Sequence, residues 1–309
     1  MEADMTERPV GSTEEKRLKM LGFIRNRGTD RFSARVITGN GRLSASRMRC
    51  LTEAAEKFGE GMVSFTTRQT VEIPGIEYEK IDDFIKYISA AGLETGGTGP
   101  LVRPVVSCKG TICRYGLIDT FSLSGEIHKR FYQGYHGVTL PHKFKIAVGG
   151  CPNNCVKPEL NDVGIVGQFI PSPSSDLCRS CRDCSAEKAC PTGAARKTDG
   201  LLRIDRTMCI NCGLCASSCS FGAVDGMKGY KILIGGRWGK KSSRGRALGK
   251  VFTDTGEVLA AVESAVLLFR EKGAPGERFA DMIERIGFSE TEREILSGEV
   301  VSRREKILE

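Results

Sequence analysis

The spacing of cysteines constrains this chain more than any other feature. Twelve of its thirteen cysteines fall into three groups of four. Two groups interlock: Cys178, Cys181, Cys184 and Cys190-Pro191, followed by Cys209, Cys212, Cys215 and Cys219. The third divides into the pairs Cys108/Cys113 and Cys151/Cys155, with ordinary chain between them. A 4Fe–4S cluster needs four converging thiolates, and a short loop can deliver three before the chain returns with the fourth. A fold that satisfies these spacings must close loops around its sulfur atoms, and the chemistry of such groups is electron transfer. Cys50, left over, lies in a helical pattern and reads as a small core residue.

Other uses of so many cysteines fit less well. A disulfide scaffold needs an oxidising compartment. The opening segment Met1–Met20 is polar and lacks an apolar h-region, so no signal peptide is expected and the reading is cytoplasmic. The best apolar run, Val258–Phe269, is short and carries Glu263, which suits a buried or amphipathic helix and not a membrane span. Zinc ribbons use two CxxC pairs, whereas CxxCxxC followed by Cys-Pro is a ferredoxin run. The split set taken alone is compatible with a cluster or a structural metal site. In two-cluster ferredoxins the fourth cysteine of each run serves the other cluster. That rule assigns Cys178, Cys181, Cys184 and Cys219 to one cube, and Cys209, Cys212, Cys215 and Cys190 to the other. Five residues precede Cys190, where the standard run has three, and Ser220 stands where it has a second proline.

At 309 residues the chain is long enough for two or more domains. Its formal charge of +8 counts cysteines as neutral; each cluster on four thiolates would add roughly two negative charges. Lysines and arginines are scattered, which argues against nucleic acid. The exception is the Gly- and cation-rich stretch Gly235–Lys250, suited to a polyanionic ligand.

Residues 1–27 read as a polar arm. Over 28–95 the pattern predicts strand Phe32–Ile37, a helix ending at Gly59, strands Met62–Thr66 and Thr70–Ile73, and a helix through Ile81–Ile88 stopped at Gly92. This is a small two-layer α/β unit. A Gly-rich linker opens a second domain over 96–171 and 227–290, with strands Lys143–Val148, Asn161–Val166 and Lys231–Ile234 and helices Val258–Phe269 and Arg278–Ile286. Residues 172–226, holding both interlocked sets, read as a ferredoxin module inserted between strands. Residues 291–309 read as a charged tail.

In a strand, Lys143 and Lys145 share one face while Phe144, Ile146 and Val148 point into a core. Lysines alone on such a face often only discourage edge pairing. Here the strand runs straight into Gly150–Cys155, so both ammonium groups are expected close to a metal cluster, as an anion-binding face. His128, His136 and His142 lack ligand spacing and read as surface or core residues.

Several short motifs carry a family resemblance: Ser64–Gln69, Pro74–Ile76, Cys108–Gly116, Leu140–Lys145, Gly150-Cys151-Pro152-Asn153-Asn154-Cys155 and Gly235–Arg237. Together they resemble the sirohaem-dependent sulfite and nitrite reductases. The inserted ferredoxin resembles, more narrowly, the ferredoxin-bearing subunit of anaerobic sulfite reductase and small archaeal sulfite reductases. The fold this implies is α+β: a ferredoxin-like half-unit, plus a sirohaem and 4Fe–4S domain carrying a bacterial-type ferredoxin insert. One departure is that four residues, not the family's five, separate Cys108 from Cys113. The resemblance implies three 4Fe–4S clusters and one sirohaem. Cys108, Cys113, Cys151 and Cys155 would hold the third cluster, with the Cys155 sulfur bridging to the sirohaem iron. Arg35, Arg103, Lys143 and Lys145 would surround the substrate oxyanion as catalytic residues. Arg68, Arg237 and the 237–250 segment would bind sirohaem carboxylates, to which guanidinium forks are suited.

The function implied is six-electron reduction of sulfite to sulfide, with electrons entering through the ferredoxin module. Nitrite reduction to ammonia uses the same cofactor and cation set. A non-catalytic iron–sulfur electron-transfer subunit and an oxyanion-binding redox sensor are readings from other classes. No GxGxxG follows a strand and opens a helix, so a separate electron donor is expected. One copy of the host fold, where larger family members resemble a fused pair, implies a homodimer or larger complex with shared sites.

Overall fold

A computed structural model describes residues 10–309, which divide into two compact units. The first unit runs to residue 106 and adds residues 125–145 and 273–278. It opens with helix α1 (Ser12–Met20) and strand β1 (Phe23–Arg25), followed by β2 (Phe32–Val36), α2 (Ala45–Phe58), β3 (Ser64–Phe65), β4 (Val71–Ile76) and α3 (Ile81–Ser89). The strands form an antiparallel sheet in the order β1-β2-β4-β3. Side chains alternate along β2, so Phe32, Ala34 and Val36 are buried while Ser33 and Arg35 face the other way. Helix α2 starts where the Ser44 hydroxyl accepts the Arg47 N–H at 3.2 Å, an N-cap. On α3, Ile81, Phe84 and Ile88 recur at helical spacing and are buried. Phe84 meets Phe23 edge-to-face at 6.0 Å and Phe58 at 5.8 Å. Burying a side chain of this kind stabilises by about 1.5–3 kcal/mol.

The polar arm expected over residues 1–27 is a structured start from Ser12 onward, because Leu18 and Phe23 insert into this core. The expectation for residues 1–9 lies outside the described residues.

The second unit comprises 107–124, 146–272 and 279–309. The chain enters it along β5 (Val106–Ser107), then forms α4 (Thr120–Ile127), β6 (Ile146–Gly149) and β7 (Val163–Pro173). After α5 (Ser185–Lys188), β8 (Ala195–Thr198), β9 (Leu201–Ile204) and α6 (Leu214–Ser218) come the long strands β10 (Val224–Ile234) and β11 (Arg246–Phe252). The five-stranded sheet runs β11-β10-β7-β6-β5, with β6 and β7 parallel. Strands β7 and β10 pair antiparallel without a break from Val163↔Ile234 to Pro173↔Val224. The cysteine-rich residues between them thus form an excursion whose two ends are hydrogen-bonded together, and β8 and β9 make a hairpin of their own within it.

Four helices close the unit: α7 (Thr255–Lys272), α8 (Phe279–Ile286), α9 (Phe288–Ser297) and α10 (Glu299–Ser302), with a last turn α11 (Arg304–Leu308). The tail expected over 291–309 is therefore helical, and Thr291, Ile295 and Val300 are buried. None of the described helices is long and apolar enough to cross a membrane.

The strand expected from Lys143 begins only at Ile146. Phe144 makes an isolated bridge to Val102, its N–H donating to Leu101 O and its carbonyl accepting from Arg103 N–H. The break coincides with the change of unit after Lys145. The second domain expected from residue 96 thus cedes 96–106, 125–145 and 273–278 to the first unit. Similarly, the basic segment 237–250 is strand from Arg246 onward.

Candidate functional site

In the first unit Arg35 and Arg103 converge. Arg35 projects from β2 opposite Glu72 of β4, and its Nε donates to Glu72 Oε1 at 2.9 Å. Its Nη1 reaches the Gly97 carbonyl at 3.3 Å, and Arg103 Nη1 donates to the same oxygen. Two guanidinium groups therefore meet on one backbone carbonyl. Burial pushes the Arg103 guanidinium down to about 10, and the charges of Arg35 and Arg278 add to the effect; it remains a cation at neutral pH. Arg103 Nε is out of contact with solvent and has no hydrogen-bond partner among the described residues.

Lys143 and Lys145 belong to the same cluster. His142 Nδ1 accepts the Lys143 N–H at 2.7 Å. Burial, then Lys143, Arg278, Arg103 and Lys145 hold the His142 imidazole below its ordinary value. A cavity of about 550 Å³ opens here, lined by Lys16, Lys19, Arg103, His142 and Lys143, with no carboxylate in its lining among the described residues. The structure thus gathers Arg35, Arg103, Lys143 and Lys145. It adds Lys16, Lys19, His142 and Arg278, none of which the sequence reading placed in a site. The missed signal lies in α1: acidic Glu14 and Glu15 in its first turn and basic Arg17 and Lys19 in its last are the charge order a helix favours. Arg68 lies at the β3–β4 turn with Nη2 donating to Pro104 O at 2.6 Å.

In the second unit the split cysteines come together. Gly150 N–H donates to Cys108 Sγ at 3.1 Å. This contact requires glycines: a Cβ on Gly110 would lie 2.9 Å from Gly150 Cα, and one on Gly150 only 2.8 Å from Gly110 Cα. A single 3₁₀ turn, Gly110–Ile112, takes up the four-residue spacing and delivers Cys113. Burial, with the neighbouring Cys108, Cys155 and Cys113, pushes the Cys151 thiol up against the pull of the Asn153 N–H. Cys151 is thus within electrostatic reach of the other three sulfur groups.

The excursion between β7 and β10 groups Cys190 with Cys209, Cys212 and Cys215. Burial pushes Cys215 up to about 11, with Cys209, Cys212 and Cys190 adding their repulsion. These same four cysteines line one small cavity. Backbone N–H groups of Ala195 and Asn211 donate to Cys190 and Cys209 Sγ at 3.3 and 3.4 Å. Cys178, Cys184 and Cys219 pack on the small core around Ala186 and Leu202. Ser185 Oγ donates to Ser218 O at 2.6 Å, joining the residues next to Cys184 and Cys219, and Lys197 Nζ donates to Cys181 O at 2.7 Å. Cys50 packs partly buried against the first unit's core.

Arg237 follows β10 and faces α8. Nη1 pairs with Asp281 and Nη2 with Glu284 at 3.3 Å, both from α8. These pairs join α8 to the segment that follows β10, and Arg237 Nε is buried with no hydrogen-bond partner among the described residues.

Comparison with known proteins places these features in a family. The nitrite and sulphite reductase 4Fe-4S domain matches residues 98–303, and the nitrite/sulfite reductase ferredoxin-like half domain matches residues 24–91. The chain is 28% identical over 263 residues to a coenzyme F420-dependent sulfite reductase of Methanocaldococcus jannaschii, covering 81% of this chain and 40% of that one. It is 32% identical over 184 residues to a subunit of the anaerobic sulfite reductase of Salmonella typhimurium, covering 53% of this chain and 50% of the relative. It therefore spans half or less of these relatives. Crystalline dissimilatory sulfite reductase I shares its fold, with a TM-score of 0.71 at 20% identity over 86% of this chain and 69% of that one.

Proposed function

Because the chain belongs to the nitrite and sulphite reductase 4Fe-4S family, we propose that it reduces sulfite to sulfide, with nitrite the alternative substrate of the same site. The observation that carries this reading is the gathering of Arg35, Arg103, Lys143 and Lys145 beside a cavity lined, among the described residues, by cations and by no carboxylate. Cys108, Cys113, Cys151 and Cys155 would hold one 4Fe–4S cluster, with the Cys155 sulfur shared with sirohaem. Cys178, Cys181, Cys184 and Cys219 would hold a second cluster, and Cys190, Cys209, Cys212 and Cys215 a third, the pair through which electrons would arrive. The buried Nε of Arg103, unpartnered among the described residues, suits an anionic ligand, and the gathering of further cysteines around each of Cys151 and Cys215 suits metal-bound thiolates. Arg68 would take a sirohaem carboxylate. When bound, sirohaem and the clusters supply the redox iron and the electrons.

The chain's own residues supply charge, orientation and protons. Each S–O bond broken takes two electrons and two protons and releases one water. Arg35, fixed by Glu72 and the Gly97 carbonyl, and Arg103, cationic despite burial, would bind the oxyanion and draw off its charge. Lys143 and Lys145 would donate hydrogen bonds, and protons, to the departing oxygens. His142, kept neutral, accepts the Lys143 N–H and holds that segment in place. A separate protein would deliver electrons, and a homodimer or larger complex would complete the assembly.

Anaerobic reconstitution, metal analysis and turnover with a reduced dye test this reading. Three cubes and one sirohaem predict roughly thirteen irons per chain, porphyrin-type absorption and sulfide from sulfite. Zinc in place of iron, or an absence of porphyrin bands, would sink it. Ammonia from nitrite with no sulfide from sulfite would select the alternative substrate.

A further inference from the structure

Helix α1 precedes both family matches, the first of which begins at residue 24, yet it is built into the cation cavity. The Thr98 hydroxyl donates to the Lys19 carbonyl. Gly22 and Gly96 approach so closely that a Cβ on Gly22 would lie 2.4 Å from Gly96 N. Gly99, at φ +77°, makes room for Met20 Sδ, which would stand 2.4 Å from a Cβ there. Leu18 is completely buried in the unit's core.

These contacts set the rotation of the helix. Lys16 and Lys19, three residues apart and neighbours on one face, line the cavity together with Arg103, His142 and Lys143. The acids of α1 are engaged by arginines: Glu14 by Arg17 at 2.6 Å and Glu15 by Arg25 at 3.5 Å. The helix therefore contributes positive charge and no carboxylate to the cavity wall.

We propose that Lys16 and Lys19 form an outer capture site for the substrate oxyanion, from which it passes inward to Arg103 and Lys143. The proposal rests on the reductase reading and adds to it the residues that govern access. Cations of one sign along a cleft concentrate anions and raise association rates by roughly 10–10³, an effect that salt suppresses.

The test uses holoenzyme and sulfite itself, comparing wild type with K16Q/K19Q and K16R/K19R. The expected result for K16Q/K19Q is a loss of about tenfold in kcat/KM at low ionic strength, with kcat and the porphyrin absorption unchanged and a flatter dependence on salt. K16R/K19R should retain the wild-type values. Calorimetric titration with sulfite, which needs no turnover, should show weaker binding by K16Q/K19Q alone. Three results would overturn the proposal: wild-type kcat/KM and salt dependence in K16Q/K19Q, a fall in kcat with KM unchanged, or loss of porphyrin absorption, which would assign the lysines to the cofactor's carboxylates. Wild-type protein that reduces neither sulfite nor nitrite would defeat the reductase reading, while a calorimetric difference between wild type and K16Q/K19Q would still support anion capture.

Discussion

In the first unit the polypeptide itself holds its chemistry in place: Glu72 and the Gly97 carbonyl fix Arg35, the same carbonyl takes Arg103, and His142 accepts from Lys143. In the second, chemistry waits on a guest. Cys151 and Cys215 are pushed toward the neutral thiol by burial and by their neighbours, although a metal requires thiolates. The difference follows from the charges. The Arg35 guanidinium has a carboxylate and a carbonyl to donate to, and Arg103 shares that carbonyl. Four sulfurs brought together repel one another once ionised, and only a metal core offsets that repulsion.

The strongest way to break the comparison is Cys151→Ser. It should abolish turnover and remove the iron of the split set, yet leave sulfite binding at the first unit's cations within about twofold, as independent sites require. Calorimetry beside iron analysis decides this; loss of both properties would mean that the units are not chemically separable. Next in size, Lys143→Met or Lys145→Met should lower kcat/KM by about 10²-fold with iron content unchanged, the scale for a positioned charge stabiliser. Unaltered kinetics would reduce both lysines to a solvated surface. Glu72→Gln should cost about tenfold in kcat/KM, since the carboxylate that orients Arg35 as an ion pair is replaced by a neutral amide acceptor. A rise in KM with kcat constant would indicate that Arg35 contributes binding alone. The smallest effect concerns pH. Thiols with raised pKa values release protons when metal binds, so cluster incorporation should improve a few-fold between about pH 6.5 and 8.5. Anaerobic reconstitution followed by absorption would measure it, and flat yields would remove the thiol argument.

The two halves of the candidate site were unequally legible. Crosswise sharing of Cys190 with Cys209, Cys212 and Cys215 follows from spacing, because a short run can deliver only three ligands before the chain returns. The grouping of those four around one cavity agrees with it. Lys143 and Lys145 were legible as a pair from their alternate spacing ahead of Gly150–Cys155, whereas Arg35 and Arg103 came from resemblance, since nothing in their spacing says that they meet. The partners of Arg237 lie outside its motif: Asp281 and Glu284 approach it from a helix more than forty residues away.

What the sequence determined by itself is local. It set the periodicity of β2, α2 and α3, the cysteine loops, and the strand flanks of the cysteine-rich excursion, all governed by neighbours within a few residues. Tertiary structure alone decided that α1 is a wall of the cation cavity and not an arm. It also began β6 only at Ile146 and returned residues 125–145 to the first unit. Docking of α1 depends on Gly22 meeting Gly96 and on Thr98 reaching the Lys19 carbonyl. Such contacts join residues more than seventy positions apart, and short-range pattern carries no information about which distant backbones will touch.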